Sequence, residues 1–161
     1  MSSLYLLLGG NLGNRETFLQ QARERLAAAV GSITACSKLY ETAAWGKTDQ
    51  PAFLNQVLAL QTNLLPEQVL HRIQGIELDL GRERIEHWGA RVIDIDILFY
   101  NDLVLQTQRL TIPHPQLQNR RFTLMPLAEI APNLVHPVLQ QTIAKLLVIC
   151  DDPLKVSVYQ E

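Results

Sequence analysis

The sequence predicts a mixed α/β fold, and three observations lead there. Short apolar or alternating runs at residues 4–8, 33–40, 53–62 and 92–100 read as strands, and two stretches between them carry apolar residues at helical spacing. These elements fall in the order strand, helix, strand, strand, helix, strand. At 161 residues, 47% hydrophobic and 19% charged, the chain fits a single domain, 1–161, with a core of its own.

The first strand, residues 4–8, is stopped by Gly9-Gly10, and Asn11-Leu12-Gly13-Asn14 leads into a helix for which Asn14 is the expected cap. Phe18, Leu19, Ala22, Leu26, Ala29 and Val30 recur at helical spacing, and Gly31 suits the position just past the end. The loop G-G-N-L-G-N lacks the Lys-Ser/Thr of a Walker loop and does not match G-x-G-x-x-G, so a phosphate cradle there has little support. A second strand, 33–40, runs into the polar stretch E-T-A-A-W-G-K-T-D-Q-P at 41–51. That loop exceeds what a hairpin needs, which makes Thr42 and Trp45 candidates for a ligand wall; the alternative is a plain hairpin end. The third strand, 53–62, carries Asn55 near its start. Pro66 fits the first position of a second helix with the apolar stripe Val69, Leu70, Ile73, Ile76 and Leu80, ending at Gly81. Gln74 and Glu77 flank the stripe, and Arg82 and Arg84 follow it.

The fourth strand holds the densest chemistry, within W-G-A-R-V-I-D-I-D-I-L at 88–98. Extended backbone sends Arg91, Ile93, Ile95, Ile97 and Phe99 to one face and Val92, Asp94, Asp96, Leu98 and Tyr100 to the other. The Asp94 and Asp96 backbones then lie about 6.6 Å apart on one face, close enough for their carboxylates to converge on shared cations. Hard oxygen ligands with no adjacent thiolate argue for Mg2+ over zinc. Taken alone, the pair also follows from ordinary amphipathic patterning.

Beyond Tyr100, Asn101-Asp102 forms a turn, and residues 103–105 and 109–112 read as short strands. His114 is stiffened between Pro113 and Pro115. Arg120-Arg121-Phe122 opens a short helical segment with Pro126 in its first turn, a last helix lies near 142–149, and Leu154, Val156 and Val158 suggest a final edge strand.

A net charge of −2 removes any general electrostatic case for long nucleic acid or a membrane surface, while a small anionic ligand remains open. Cys36 and Cys150 lack metal-ligand spacing and suit free buried thiols in a reducing cytoplasm, or a single disulfide. The apolar start is too short and lacks the basic flank of a signal peptide, and no run reaches transmembrane length.

On these motifs the chain resembles the 6-hydroxymethyl-7,8-dihydropterin pyrophosphokinase family of folate biosynthesis, which moves a diphosphate from ATP to a pterin alcohol. The resemblance covers nearly the whole chain. Its most specific part is H-W-G-A-R-V-I-D-I-D-I-L at 87–98, supported by G-x-N-L-G at 9–13, D-Q-P-x-F-L-N at 49–55, Gln74 and Glu77 with G-R-x-R at 81–84, and T-I-P-H-P at 111–115 with Arg120 and Phe122.

The resemblance implies a ferredoxin-like sandwich, a mainly antiparallel sheet with helices on one face and extra C-terminal elements. It implies two Mg2+ ions on Asp94 and Asp96, ATP as co-substrate, and Arg82 and Arg91 assisting the transfer. It places ATP against Gln74, Glu77, Arg82, Arg84, Trp88, Arg91, Ile97, Arg109, Thr111, His114 and Arg120. It places the pterin against Thr42, Ala43, Trp45, Phe53, Asn55 and Phe122. The implied protein is a cytoplasmic monomer working on small molecules, with no nucleic acid or membrane partner.

Three positions depart from the family: Ala43-Ala44 where proline is common, Phe53 where tyrosine is frequent, and His87 where many members carry arginine. His87 is therefore left out of the expected site. A non-catalytic binding module of the same fold would not need two aspartates beside three arginines. A Mg2+-dependent nucleotidyltransferase would use them, but would join AMP to its acceptor.

Overall fold

The computed structural model describes residues 1–43, 51–81 and 92–160. The chain runs β1 (Ser2–Gly10), α1 (Arg15–Ala29), β2 (Ser32–Cys36), β3 (Tyr40–Thr42), β4 (Phe53–Thr62), α2 (Pro66–Gly81) and β5 (Asp94–Tyr100), the expected order with one strand more between the helices. There follow the hairpin strands β6 (Leu105–Gln106) and β7 (Thr111–Ile112), a 3-10 turn at Leu117–Asn119, α3 (Arg121–Ile130), α4 (Ile143–Ile149) and β8 (Val156–Val158). The main sheet has the order β5-β1-β4-β3-β8, with β2 also paired to β4, and every pairing in it is antiparallel.

Alternation along the strands gives the sheet two apolar faces. Leu4, Leu6, Leu8, Leu54, Leu58 and Leu60 meet Leu19, Ala22 and Leu26 of α1 and Val69 and Ile73 of α2 on one side. Leu7, Val57 and Leu98 meet Leu124 and Leu127 of α3 and Ile143 and Leu146 of α4 on the other. The extra C-terminal elements thus close the second face, leaving little of the sheet open except where the site lies.

Local signals explain most boundaries. Asn14 caps α1 by accepting the Thr17 N–H at 3.1 Å, and the Thr142 hydroxyl caps α4 by accepting the Lys145 N–H at 3.2 Å. Gly31 follows the end of α1, but its requirement is space: a Cβ there would stand 2.1 Å from the Gln61 carbonyl oxygen.

Four expectations need correction. The run 33–40 is two strands, because the Ser37 hydroxyl accepts the Val57 N–H at 3.0 Å and replaces a ladder bond with a side-chain one. Phe99 and Tyr100 exchange faces: the β1–β5 register shifts between Tyr5 and Leu6, so Phe99 joins the α3–α4 core and Tyr100 the α1–α2 core. Pro126 lies in the second turn of α3, where it withholds the N–H that Phe122 would receive; its burial beside Leu124 and Leu127 offsets that loss. Cys36 is exposed, as are Ser32 and Thr34 of β2, and both cysteines are free thiols. Among the described residues no helix is long and apolar enough to cross a membrane.

Candidate active site

The site grows out of the register of three strands. Gly9 on β1 pairs with Asn55 on β4 and with Asp94 on β5, so these residues form one row across the sheet. Leu7 repeats the pattern one pleat away, between Val57 and Asp96. On β3, Thr42 pairs with Phe53. Residues directly opposite in an antiparallel sheet share a face, so Asp94, Asp96, Asn55, Phe53 and Thr42 all point toward the α3 side.

There they line a cleft of about 250 Å³, completed by Ala43, Arg120 and Phe122. Three lining residues were not foreseen: Leu7, Gly9 and Leu154. Gly9 had a signal in its place at a strand end beside G-x-N-L-G; Leu154 had none, because it arrives from a distant part of the chain. Gly9 matters by what it lacks. A Cβ there would fall 2.2 Å from the Asn55 amide nitrogen, which donates to the Leu8 carbonyl at 3.3 Å.

The cleft is polar in few places, and those are pointed. Asn55 and Thr42 are 5% and 3% exposed, yet Asn55 Oδ1 and Thr42 Oγ1 have no hydrogen-bond partner among the described residues. Buried polar atoms are ordinarily satisfied, so this acceptor and this hydroxyl beside one cleft are available to a molecule with complementary groups. Phe53 and Phe122 supply aromatic surface, and the Arg120 guanidinium lies 5.8 Å from the Phe122 ring centroid.

At the acidic rim, Asp94 and Asp96 are both partly exposed. Glu77 reaches them from α2 and accepts the Ile95 N–H at 2.7 Å. Burial pushes its carboxyl up to about 7, Asp94 and Asp96 adding to the rise and the Ile95 N–H opposing it. His114 Nε2 stands 4.0 Å from Asp96 Oδ2, while its Nδ1 accepts the Gln116 N–H at 3.1 Å. Burial, then Arg120, lowers the pKa of this imidazole, with Asp94 pulling the other way, so the neutral ring keeps its proton on the nitrogen facing Asp96.

The described residues contain no group of three or more His, Cys, Asp or Glu side chains arranged to hold an ion. Two carboxylates nonetheless fit Mg2+, which binds through one or two such groups and takes its other oxygens from water and substrate phosphates.

The remaining expected residues divide. Gln74 and Arg109 border a separate surface depression with Leu70 and His71, where Arg109 pairs with Glu67. Thr111 pairs with Gln106 in the β6–β7 hairpin. Ile97 buries its side chain in the α1–α2 core, leaving its main chain, on the same outer edge of β5 as Ile95, for any ligand. Trp45, Arg82, Arg84, Trp88 and Arg91 lie outside the described residues. The G-G-N-L-G-N loop serves as an anchor: Asn11 donates to the Pro51 carbonyl at 3.0 Å, and Arg15 just beyond it donates to the Ala52 carbonyl at 2.8 Å and to Glu41 at 2.7 Å.

Comparison with known proteins points in one direction. The family model described as 7,8-dihydro-6-hydroxymethylpterin-pyrophosphokinase (HPPK) matches residues 5–132. A 2-amino-4-hydroxy-6-hydroxymethyldihydropteridine pyrophosphokinase of Aquifex aeolicus is 44% identical over 138 residues, 86% of each chain. One from Methylorubrum extorquens is 44% identical over 149 residues, 91% of this chain and 94% of that protein. Among solved structures, Plasmodium falciparum HPPK-DHPS superposes with a TM-score of 0.73 at 19% identity over 91% of this chain, which establishes likeness of fold. This chain spans 45% of that longer one.

Proposed function

The chain belongs to the 7,8-dihydro-6-hydroxymethylpterin-pyrophosphokinase family and transfers a diphosphate group from ATP to the hydroxymethyl group of that pterin in folate biosynthesis, and we propose that the cleft between Phe53, Phe122 and the Asp94–Asp96 rim is where the transfer occurs. One observation carries this placement: the unpaired Thr42 Oγ1 and Asn55 Oδ1 beside an apolar cleft whose rim is two carboxylates.

A pterin is flat, aromatic and edged with donors and acceptors. Phe53 and Phe122 stack against its faces, while Asn55 and Thr42 take its polar edge, which directs the hydroxymethyl arm toward the rim. Asp94 and Asp96 would hold two Mg2+ ions. When bound, Mg2+ supplies positive charge to the triphosphate oxygens and favours ionisation of the attacking hydroxyl. His114 positions Asp96, and Arg120 adds positive charge at the mouth of the cleft. Gln74, Arg109 and Thr111 extend the ATP surface away from the rim. Arg82 and Arg91 neutralise charge that grows on the leaving AMP and the transferred group, with Arg84 and Trp88 holding the nucleotide and Trp45 the pterin.

The whole chain works as one domain in this reading, since Leu154, far beyond the matched residues 5–132, lines the same cleft as Leu7, and it works as a monomer. The free cysteines fit a reducing cytoplasm. Incubation with ATP, Mg2+ and the reduced pterin alcohol tests the chemistry: AMP and a diphosphorylated pterin are expected. ADP with a monophosphorylated pterin, or an adenylylated pterin with free pyrophosphate, would overturn it.

A further inference from the structure

The C-terminal segment crosses the cleft on a single carboxylate. Asp152 Oδ2 accepts the N–H of Arg121, the first residue of α3, at 3.0 Å. Asp152 Oδ1 accepts the N–H of Leu154 at 3.0 Å. The next residue after Arg121 is Phe122, and both Phe122 and Leu154 line the cleft. One side chain therefore sets two of its walls, coming from parts of the chain some thirty residues apart.

The Arg121 side chain closes the clasp from its own end. Its Nη2 donates to the Cys150 carbonyl at 3.0 Å and to the Asp152 carbonyl at 2.9 Å. Two residues past Leu154, Val156 enters β8 paired with Thr42, whose unpaired hydroxyl lies beside the same cleft. The segment is thus tied at one end to Arg121, the residue before Phe122, and at the other to Thr42, and Leu154 is held between the ties. Most of its neighbours turn to solvent: Asp151, Pro153 and Lys155 are exposed. Leu154 is partly buried because it faces the cleft, so its contact surface belongs to a ligand more than to a core.

We propose that Leu154 is a wall of the pterin pocket and that Asp152 is the positioning residue that sets the gap between Leu154 and Phe122. The proposal rests on the placement of the pterin in this cleft. With Phe53 and Phe122 on its two faces, the ring meets Leu154 along its rim, and dispersion fades as soon as a wall moves out of contact, so an outward shift of Leu154 weakens the hold on the ring and leaves the nucleotide untouched.

The test measures pterin affinity and the affinity of a nonhydrolysable ATP analogue separately, in wild type, Asp152→Ala, Leu154→Ala and the double variant. Each single variant is expected to weaken pterin binding about tenfold while ATP-analogue binding stays within about twofold, and Leu154→Met is expected to retain pterin binding. Because Asp152 acts by setting the gap that Leu154 bounds, and Leu154→Ala already opens that gap, the double variant should be little weaker than either single one. Additive losses near a hundredfold, a parallel loss of ATP affinity, or unchanged pterin affinity in Leu154→Ala would overturn the proposal. Leu154→Ala leaves the clasp intact and decides the matter even if Asp152→Ala does not fold. Wild-type protein that fails to bind the pterin overturns the cleft reading together with this one; wild-type binding with unaffected variants overturns only the roles of Asp152 and Leu154.

Discussion

Replacing Glu77 by glutamine separates the cost of a third carboxylate at the Asp94–Asp96 rim from the packing of α2. Glu77 keeps its backbone bond to Ile95 in either form, because an amide oxygen accepts as a carboxylate does. What changes is charge. Burial, with Asp94 and Asp96 alongside, raises the carboxyl from 4.5 to about 7. A raised folded-state pKa means that the folded protein holds the proton where the unfolded chain has released it. This contribution to stability is full below the unfolded value and is lost as pH rises through about 7. Each unit is worth ~1.4 kcal/mol, so the whole shift corresponds to ~3 kcal/mol at most. Glu77 retains partial exposure, and solvent screening brings the expected effect to ~1–2 kcal/mol. Denaturant unfolding at pH 5, 6, 7 and 8 without divalent cations should show wild type losing that much relative to Glu77→Gln, with most of the change between pH 5 and 7. Adding Mg2+ should shrink the difference, since positive charge beside Glu77 lowers its pKa. Parallel stability profiles for the two proteins would refute the electrostatic reading of the rim.

Gly9→Ala should weaken pterin binding as much as Asn55→Ala does, ~1–3 kcal/mol, because the new methyl displaces the Asn55 amide; isothermal titration with pterin and separately with an ATP analogue checks it, and equal loss of both ligands would count against it. Asp94→Asn and Asp96→Asn should abolish most turnover while leaving the melting temperature equal or higher, since each relieves like-charge repulsion; near-normal turnover at saturating Mg2+ would sink the metal assignment. His136 is buried, and its Nδ1 accepts the N–H groups of Val138 and Leu139 at 3.1 Å each. Burial lowers its pKa, so the stability it contributes is present above about 6.5 and falls as pH drops, a loss that His136→Asn should remove in unfolding curves at pH 7 and pH 5.

How much of this was legible in the chain depends on the range of the physics involved. The Asn14 cap, the apolar stripe of α2 and the shared face of Asp94 and Asp96 are local properties, set by period and by neighbours a few residues away. Reading them needed no knowledge of partners. The row Asn55–Gly9–Asp94 is of another kind, since it depends on how three strands distant in the chain register against one another. Nothing local marks Gly9 as the residue that leaves room for the Asn55 amide, because the steric demand comes from β4.

The same holds where expectations failed. Ser37 breaks a strand because a β4 N–H lies within its reach, and Phe99 and Tyr100 trade faces because β1 and β5 pair with a bulge. Helix α3 tolerates Pro126 because its apolar side packs into the second core, a gain that local propensity does not contain. Leu154 shows the limit best, a single leucine without a motif that becomes a cleft wall through a carboxylate two residues before it and a helix start thirty residues earlier. By itself the sequence determined which residue types could do the chemistry and on which face of an element they would stand. The tertiary structure decided which of them meet, because strand register and close packing are set by contacts between segments that no local pattern encodes.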